Sequence, residues 1–425
     1  YFSALRPEDR VAVKPHASPV FHAIQYLMGN VDRAQIENFR GQGGVQSYPS
    51  RTKDVDDVDF STGSVGLGVA ITSFASLVQD YIATKEWGAD VACGRMVALV
   101  GDAELDEGNI YEALQEGWKN DLRNCWWVID YNRQSLDGIV REGLFARVEK
   151  IFDAFGWDVV RVKYGALQRA AFKEPGGDAL RDWIDACPNQ DYSALVYQGG
   201  VVWRKRLMDD LGDQGTVTAL LEARDDNELA ALMENLGGNC VQTMAETFAS
   251  IAHENPVCFL AYTVKGWGTP IAGHKDNHGG LMTKAQMAVW QAQMGVSKGQ
   301  EWEPLAAVTD KPAFQNFMDT AQFFAKGMRR YSDSALPVPI IDIPTNHQIS
   351  TQAAFGKILD DLAKGDSDLA MRIMTTSPDV TGTTSLGPWV NRRRLFARTE
   401  KADAFIEQRI PSTAKWNFAP EGQHL

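Results

Sequence analysis

A doubly wound, mainly parallel α/β sheet is predicted by two features of this 425-residue chain, followed by a third that suggests a second α/β region. The first is a pair of short apolar, β-rich runs, 96–100 and 125–129, separated by a helix-compatible stretch, 107–119, in which Ile110, Leu114 and Trp118 share one face. The second is that the alternation continues, with helix spacing over 148–155, a strand over 159–162 and an apolar strand over 257–264. Strands alternating with helices in this way read as βαβ units of a parallel sheet. The third is a fresh start near Ile349, where Ser350 or Thr351 can cap a helix running to Leu362 and 370–375 reads as a strand.

The elements follow in order. Residues 19–28 have helical apolar spacing and 31–39 follow after the break Gly29-Asn30. The stretch 42–59 is a loop rich in Gly, Ser, Pro and Asp; it leads to the glycine turn 63–68 and then to a helix through Tyr81. Such a turn lets backbone approach a ligand closely with a helix N-terminus behind it. Residues 165–253 read as an inserted helical region, with helices around 178–186, 204–211 and 227–236. After the strand at 257–264 comes a glycine-rich segment, 266–280. Residues 297–345 carry Pro304, Pro312, Pro337, Pro339 and Pro344 and read as a connection, with 313–330 as a possible docking helix inside it. The expected organisation is therefore a first domain over 1–296, the connection over 297–345, and over 346–425 the beginning of a second domain.

Composition narrows the function classes. A hydrophobic fraction of 44% with 23% charged residues is that of a globular protein, not a disordered tail. The net charge of −13 disfavours nonspecific nucleic-acid binding and attraction to an anionic membrane. The cluster Arg392-Arg393-Arg394 reads as a solvated surface or an ion-pair cluster. Cys93, Cys125, Cys187, Cys240 and Cys258 are odd in number and lack C-x-x-C spacing, which argues against a disulfide framework and a zinc knuckle and suits a reducing cytoplasm. No apolar stretch approaches a membrane span, and the first residues lack the plan of a signal peptide.

Chemistry concentrates at the strand ends. Asp102 follows the run 96–100, and Asp130-Tyr131-Asn132 closes the run 125–129 about thirty residues later. In a βαβ unit these ends lie side by side, so Asp102 and Asn132 can share one Mg²⁺, with a backbone carbonyl near Gln134 as a further hard oxygen ligand. The competing reading of Asp102 is a helix N-cap. Glu104, Asp106 and Glu107 can simply complement a helix dipole. His22, on a predicted helix, and His347, near the connection, read as structural.

The pattern G-D-x-x-x-x-E-G at 101–108, followed by D-x-N at 130–132, resembles the thiamine diphosphate signature of the transketolase superfamily. Lys14-Pro15-His16-Ala17-Ser18-Pro19, Ser47-Tyr48-Pro49, Ser61-Thr62-Gly63-Ser64-Val65-Gly66-Leu67-Gly68 and Thr263-Val264-Lys265-Gly266-Trp267-Gly268 occur in the family's order. From Val11 onward the chain resembles most the homodimeric type of pyruvate dehydrogenase decarboxylating component. The resemblance implies thiamine diphosphate and Mg²⁺ as cofactors, held by Gly101, Asp102, Ala103, Asn132 and the Gln134 carbonyl. It further implies that Gly63 and Val65 receive the aminopyrimidine and support the bent cofactor, and that Glu107 acts near it or between two sites. Ala103 departs from the usual glycine, although its N–H stays available to diphosphate. His16 and His278, each in a matched loop, are the implied catalytic histidines, able to donate hydrogen bonds or move protons. For His274, H-x-x-x-H would suggest zinc only on a regular helix, against which the surrounding glycines argue. Lys265 and Trp267 read as packing or loop-anchoring residues, and the Ser377-Pro378-Asp379 word resembles a strand-end motif of the second domain without a definite role for Asp379.

The implied activity is decarboxylation of a 2-oxo acid, pyruvate foremost, with the acyl group passed to a lipoyl-bearing acyltransferase; the thiazolium of the cofactor accepts the electrons released with CO₂. Alternatives are transketolase, moving a two-carbon ketol unit, and a noncatalytic cofactor-binding or assembly subunit. In the family a glutamate of the second, pyrimidine-binding domain activates the cofactor. It follows a segment resembling Glu421-Gly422-Gln423-His424-Leu425, where this sequence stops, and Glu421 does not replace it. An upstream histidine loop expected before Val11 is also absent. The expectation from sequence is thus a chain truncated in its second domain, holding most cofactor contacts but weakly active or inactive by itself.

Overall fold

The structure is a computed structural model that describes residues 3–87, 92–135, 138–321, 334–343, 345 and 348–425. Two compact units make up the chain, one from residues 1–76 and 94–329, the other from 77–93 and 330–425.

The first unit holds a five-stranded sheet in the order β1-β2-β3-β5-β4, every neighbouring pair parallel. The strands are β1 (Arg10–Ala12), β2 (Met96–Gly101), β3 (Cys125–Tyr131), β4 (Asp158–Val162) and β5 (Val257–Tyr262). Parallel strands need crossovers, and helices supply them: α1 (Ser18–Leu27) and α2 (Leu67–Thr84) lie in sequence between β1 and β2, α3 (Gly108–Lys119) between β2 and β3, and α4 (Leu144–Ala154) between β3 and β4. The central strands are apolar without alternation because both faces are covered. One face carries Val97, Trp126, Val128, Val257 and Phe259 against Phe21 and Val58. On the other, Trp127 is fully buried, with Phe152 at 5.7 Å and Trp157 at 4.6 Å between ring centroids.

Between β4 and β5 the chain forms a helical insertion larger than the three predicted helices. Those three are present, as Gly177–Ala186, Gly200–Leu211 and Asp226–Glu234, and Ala166–Ala171, α5 (Asn189–Gln198), Gly215–Glu222 and Val241–Ala249 add to them. Trp203, Leu207, Leu180 and Leu229 are its buried centre. A helix at Lys284–Gln293, capped by Thr283 and Gln286 in a capping box, was not predicted. The docking helix expected over 313–330 is a helix at Lys311–Thr320; residues 322–330 lie outside the described residues, as do Pro344 and His347.

In the second unit α6 (Thr351–Ala363) is capped by Ser350, whose side chain accepts from Ala353 N, as one of the two expected caps. The strand expected over 370–375 is overturned: Asp368–Arg372 is a short helix capped by Ser367, and only Thr375 bridges to a neighbour, His424. The apolar spacing there fits both states, and the Ser367 side chain accepting from Ala370 N at 3.2 Å tips it to helix. Arg392 and Arg393 pair with Asp360 and Asp366 at 2.7 and 3.4 Å, and Arg394 with Glu421 at 3.8 Å, so the basic cluster is an ion-pair cluster.

Candidate cofactor and metal site

Register builds the site. Gly101 lies opposite Asp130, and Tyr131 opposite Tyr262, so Asp102, Asn132 and Thr263 all leave the sheet at its carboxyl edge, where open parallel sheets bind ligands. Asp102 opens a 3₁₀ turn, Asp102–Asp106, ahead of α3. Its Oδ2 accepts from the backbone N–H of Arg133 at 2.7 Å and its Oδ1 from that of Ala103 at 3.0 Å. The Gln134 N–H donates to Asn132 Oδ1 at 3.0 Å, and Lys265 Nζ donates to the Gln134 carbonyl at 3.1 Å. Asp102, Asn132 and Gln134 are 4%, 7% and 3% exposed, so the loop is buried rather than mobile surface. A carboxylate, an amide oxygen and a carbonyl oxygen, each with a lone pair to spare, are the hard donors Mg²⁺ takes. Burial pushes the Asp102 carboxyl up to about 6, with neighbouring Asp130 adding to it, against the Arg133 N–H, Lys14 and the Ala103 N–H. An acid so placed gains from a divalent cation.

Asp130, one residue before the end of β3, is held by Lys14 Nζ on Oδ2 and by the Thr263 hydroxyl on Oδ1. Asn132 Nδ2 donates to the same carboxylate at 3.4 Å. Burial would lower the Lys14 ammonium and raise the Asp130 carboxyl, yet their mutual attraction leaves Lys14 raised and Asp130 lowered.

The glycine turn is fastened to β2 by one side chain. Glu104 accepts from Gly101 N at 2.8 Å and from Gly66 N at 3.3 Å. Gly66 is in the left-handed region (φ 82°), and a Cβ there would come within 2.7 Å of Glu107 Cβ, so the turn and the start of α3 touch at a position that only glycine fills. Gly63 is exposed, and a Cβ on it would meet nothing within 4 Å; Val65 is half-buried.

His16 and His278 are exposed, with ring centroids 4.9 Å apart, and Tyr48 lies 6.1 Å from His16. Lys265 Nζ lies 3.1 Å from His278 Nδ1. An ammonium only donates, so Nδ1 accepts and the neutral ring carries its proton on Nε2. Burial, then the neighbouring cations, lower both histidines: His278 and Lys14 act on His16, and Lys265 and Lys14 on His278. Both shifts favour the neutral ring.

The structure thus brings the turn after β2, with Asp102 and Ala103, against the loop after β3, with Asn132 and Gln134, ties Gly101 to the glycine turn through Glu104, and brings His16 beside His278. Gly63 and Val65 reach this neighbourhood only along the turn that ends at Gly66, and Glu107 touches that turn from an exposed position. Lys265 anchors the loop, and does so through the Gln134 carbonyl. His22 is structural: it bridges Asp56 at 2.7 Å and the Gln46 carbonyl at 3.0 Å. His274 accepts from Asp276 N at 3.1 Å in a turn, with no helix to support a zinc pair. The sequence words contained Lys14 and Asp130 without giving either a role, assigned Glu104 to a helix dipole, and left Arg133 unread. Glu104 had a further signal: an acid three residues into the turn can reach back to the N–H that precedes it, and its carboxylate does accept from Gly101 N at 2.8 Å.

Residues 7–173 match the family described as transketolase, thiamine diphosphate binding domain. This part of the chain resembles a transketolase-type thiamine diphosphate binding domain. Over 396 residues the chain is 26% identical to the pyruvate dehydrogenase E1 component of Cupriavidus necator, covering 87% of this chain and 43% of that protein. Over 446 residues it is 23% identical to the protein of the same name from Corynebacterium glutamicum, covering 98% and 47%. The chain therefore spans less than half the length of these relatives. Transketolases share the fold: that of Leishmania mexicana superposes with a TM-score of 0.54 at 17% identity, covering 97% of this chain and 52% of that one. A Pichia stipitis transketolase variant gives 0.56 at 15%, covering 99% and 55%. No described helix is long and apolar enough to cross a membrane.

Proposed function

We propose that this chain provides the Mg²⁺ and thiamine diphosphate part of a 2-oxo acid dehydrogenase decarboxylating component, with pyruvate as substrate and a lipoyl-bearing acyltransferase as acceptor. The observation that carries the reading is the buried loop in which Asp102, Asn132 and Gln134 present three hard oxygens at adjoining strand ends while Glu104 holds the glycine turn to the same edge. The Asp102 carboxylate, Asn132 Oδ1 and the Gln134 carbonyl would hold the metal. The Gly101 and Ala103 N–H groups, expected to be open to diphosphate, donate instead to Glu104 and Asp102, so a diphosphate here would have to take the Ala103 N–H from Asp102 as that carboxylate turned to the metal, while Gly63 and Val65 would receive the aminopyrimidine. When bound, the cofactor supplies an electron sink for loss of CO₂. His16 and His278, both shifted toward the neutral ring, supply hydrogen bonds to a developing oxyanion and a route for a proton, with His278 donating through Nε2. Glu107, exposed beside Gly66, is placed to act near the cofactor.

The likeness that extends past residue 173 favours this reading over transketolase: the relatives named pyruvate dehydrogenase E1 component match at 26% and 23% identity, whereas the two transketolase structures match at 17% and 15% and speak for fold alone. A homodimer is supported by α2, which exposes Leu67, Ile71, Phe74, Val78 and Ile82 at helical spacing. An apolar stripe of that length is a contact surface. A reducing, cytoplasmic setting is supported by five free cysteines.

The test is calorimetric titration with thiamine diphosphate, with and without Mg²⁺, on the parent and on Asp102→Ala. Binding that needs Mg²⁺ and is lost in the variant is expected. Equal binding by both proteins, or none by the folded parent, would overturn the assignment.

A further inference from the structure

Arg133 stands between two residues assigned to the metal, yet its own side chain points the other way. It is one of the few non-glycine residues with a left-handed backbone (φ 67°). That inversion turns its N–H onto Asp102 Oδ2 at 2.7 Å. The guanidinium is carried inward, 7% exposed, to lie 5.1 Å over the Tyr192 ring and to donate from Nη2 to the Thr263 carbonyl at 3.2 Å. Its described partners are thus a ring and a carbonyl, with no carboxylate, and its buried Nε has no hydrogen-bond partner. A desolvated cation held this way is a costly choice for loop filling alone.

The contacts of Arg133 run to two separate supports. Tyr192 belongs to α5 of the helical insertion, 1% exposed, and its hydroxyl donates to the Met233 carbonyl in the helix Asp226–Glu234. Thr263 follows β5, and its hydroxyl holds Asp130, the carboxylate shared with Lys14 and Asn132. One guanidinium therefore fastens the loop both to the insertion and to the strand end beside it.

We propose that Arg133 is a positioning residue for the metal loop, and that the helical insertion sets metal affinity through the Arg133–Tyr192 contact. This rests on the assignment of Asp102, Asn132 and Gln134 to Mg²⁺. Residues behind a metal's ligands commonly govern affinity by ten- to hundredfold. Arg133 acts by fixing the 132–134 backbone, so that the amide oxygen and the carbonyl face Asp102 together.

Two measurements on Arg133→Met, Arg133→Lys and Tyr192→Leu test it: amide hydrogen exchange in the cofactor-free protein, and the Mg²⁺ dependence of thiamine diphosphate binding by calorimetry. In Arg133→Met the amides of 133 and 134 are expected to exchange faster while those of β3 keep their protection, and Mg²⁺-dependent affinity to fall about tenfold or more. Arg133→Lys should fall between, since a lysine keeps the charge but not the planar stack. The double variant Arg133→Met/Tyr192→Leu should bind no worse than Arg133→Met, because both remove one contact. Unchanged exchange at 133 and 134, faster exchange throughout β3, or affinity within about twofold of the parent would overturn the proposal. If Arg133→Met does not fold, the exchange comparison passes to Arg133→Lys and Tyr192→Leu. Should the parent fail to bind the cofactor, the metal assignment falls, and exchange alone decides whether Arg133 anchors the loop.

Discussion

Two buried carboxylate clusters in the first unit look alike and behave differently. In one, ligand atoms of His22, Asp54 and Asp56 lie within 4.8 Å of one another, all three residues buried. In the other, Asp102, Asp130 and Lys14 gather at the strand ends. Counting ligand types favours a metal at the first, but its hydrogen bonds say otherwise. His22 Nδ1 is 2.7 Å from Asp56 and Nε2 is 3.0 Å from the Gln46 carbonyl, so a ring with both nitrogens protonated satisfies both oxygens, and His22 is raised accordingly, with Asp56 overcoming the effect of burial. Asp54 accepts from Gln46 N and Ser50 N at 2.8 and 2.7 Å. That cluster supplies its own cation. In the second, Lys14 is committed to Asp130, and Asp102 has only N–H donors against it. The two clusters differ in whether the nearest cation is bonded to the acid in question or to its neighbour.

The sharpest way to break this contrast is to remove one acid from each cluster. Asp102→Ala is expected to cost about a thousandfold in Mg²⁺-dependent cofactor affinity, roughly 4 kcal/mol, since changes behind a ligand already cost ten- to hundredfold. Asp54→Asn should leave it within about threefold, because the Asp54 oxygens accept from Gln46 N and Ser50 N and make no bond to the strand ends that carry Asp102. Titration calorimetry on both decides; similar losses would erase the distinction.

Next comes His22→Leu, which takes the imidazolium from Asp56 and should lower unfolding free energy by about 3 kcal/mol in urea while leaving cofactor affinity unchanged. The pH dependence follows from the raised His22 value. The stabilisation is complete below the ordinary histidine value of 6.5 and is lost as pH rises through the raised one, so the parent should weaken toward alkaline pH and His22→Leu should not.

Asp102 has the opposite consequence for binding. Its carboxyl titrates at about 6, and the metal needs the ionised form, so Mg²⁺-dependent affinity should fall about tenfold for each pH unit below that. In the metal-free protein the same raised value removes stability as pH climbs from 3.8 through about 6, and melting with and without Mg²⁺ should diverge across that window. An affinity flat down to about pH 5 would place the titrating group elsewhere. The smallest change is expected for Glu104→Gln, which keeps one acceptor but gives up the charge shared by Gly101 N and Gly66 N; a loss of about 1 kcal/mol in cofactor binding fits one weakened hydrogen bond.

Strong local signals carried much of this into the sequence. Asp102 and Asn132 were legible because two apolar runs with one helix between them force adjacent parallel strand ends. Lys14 and Asp130 were not, because their meeting depends on β1, a three-residue strand pairing Ala12 with Ala98, too short to announce itself. Arg133 was hidden by a backbone inversion that no neighbouring glycine marks. The insertion helices that went unread are in part short or weakly patterned, and residues 370–375 misled because their apolar spacing suits both strand and helix until Ser367 is counted as a cap.

The one-to-one register of β2, β3 and β5 also limits how this chain can diverge. Gly101 beside Asp130 and Tyr131 beside Tyr262 leave no slack: adding or deleting a single residue within any of these strands would swap that strand's two faces, and in β3 it would carry Asp130 to the face of Trp127 and its aromatic layer. Length changes are tolerable only in the connections. Lineages of this domain should therefore differ by insertions in the stretch between β4 and β5 and by substitutions, but not by indels, in the three strands that carry the site.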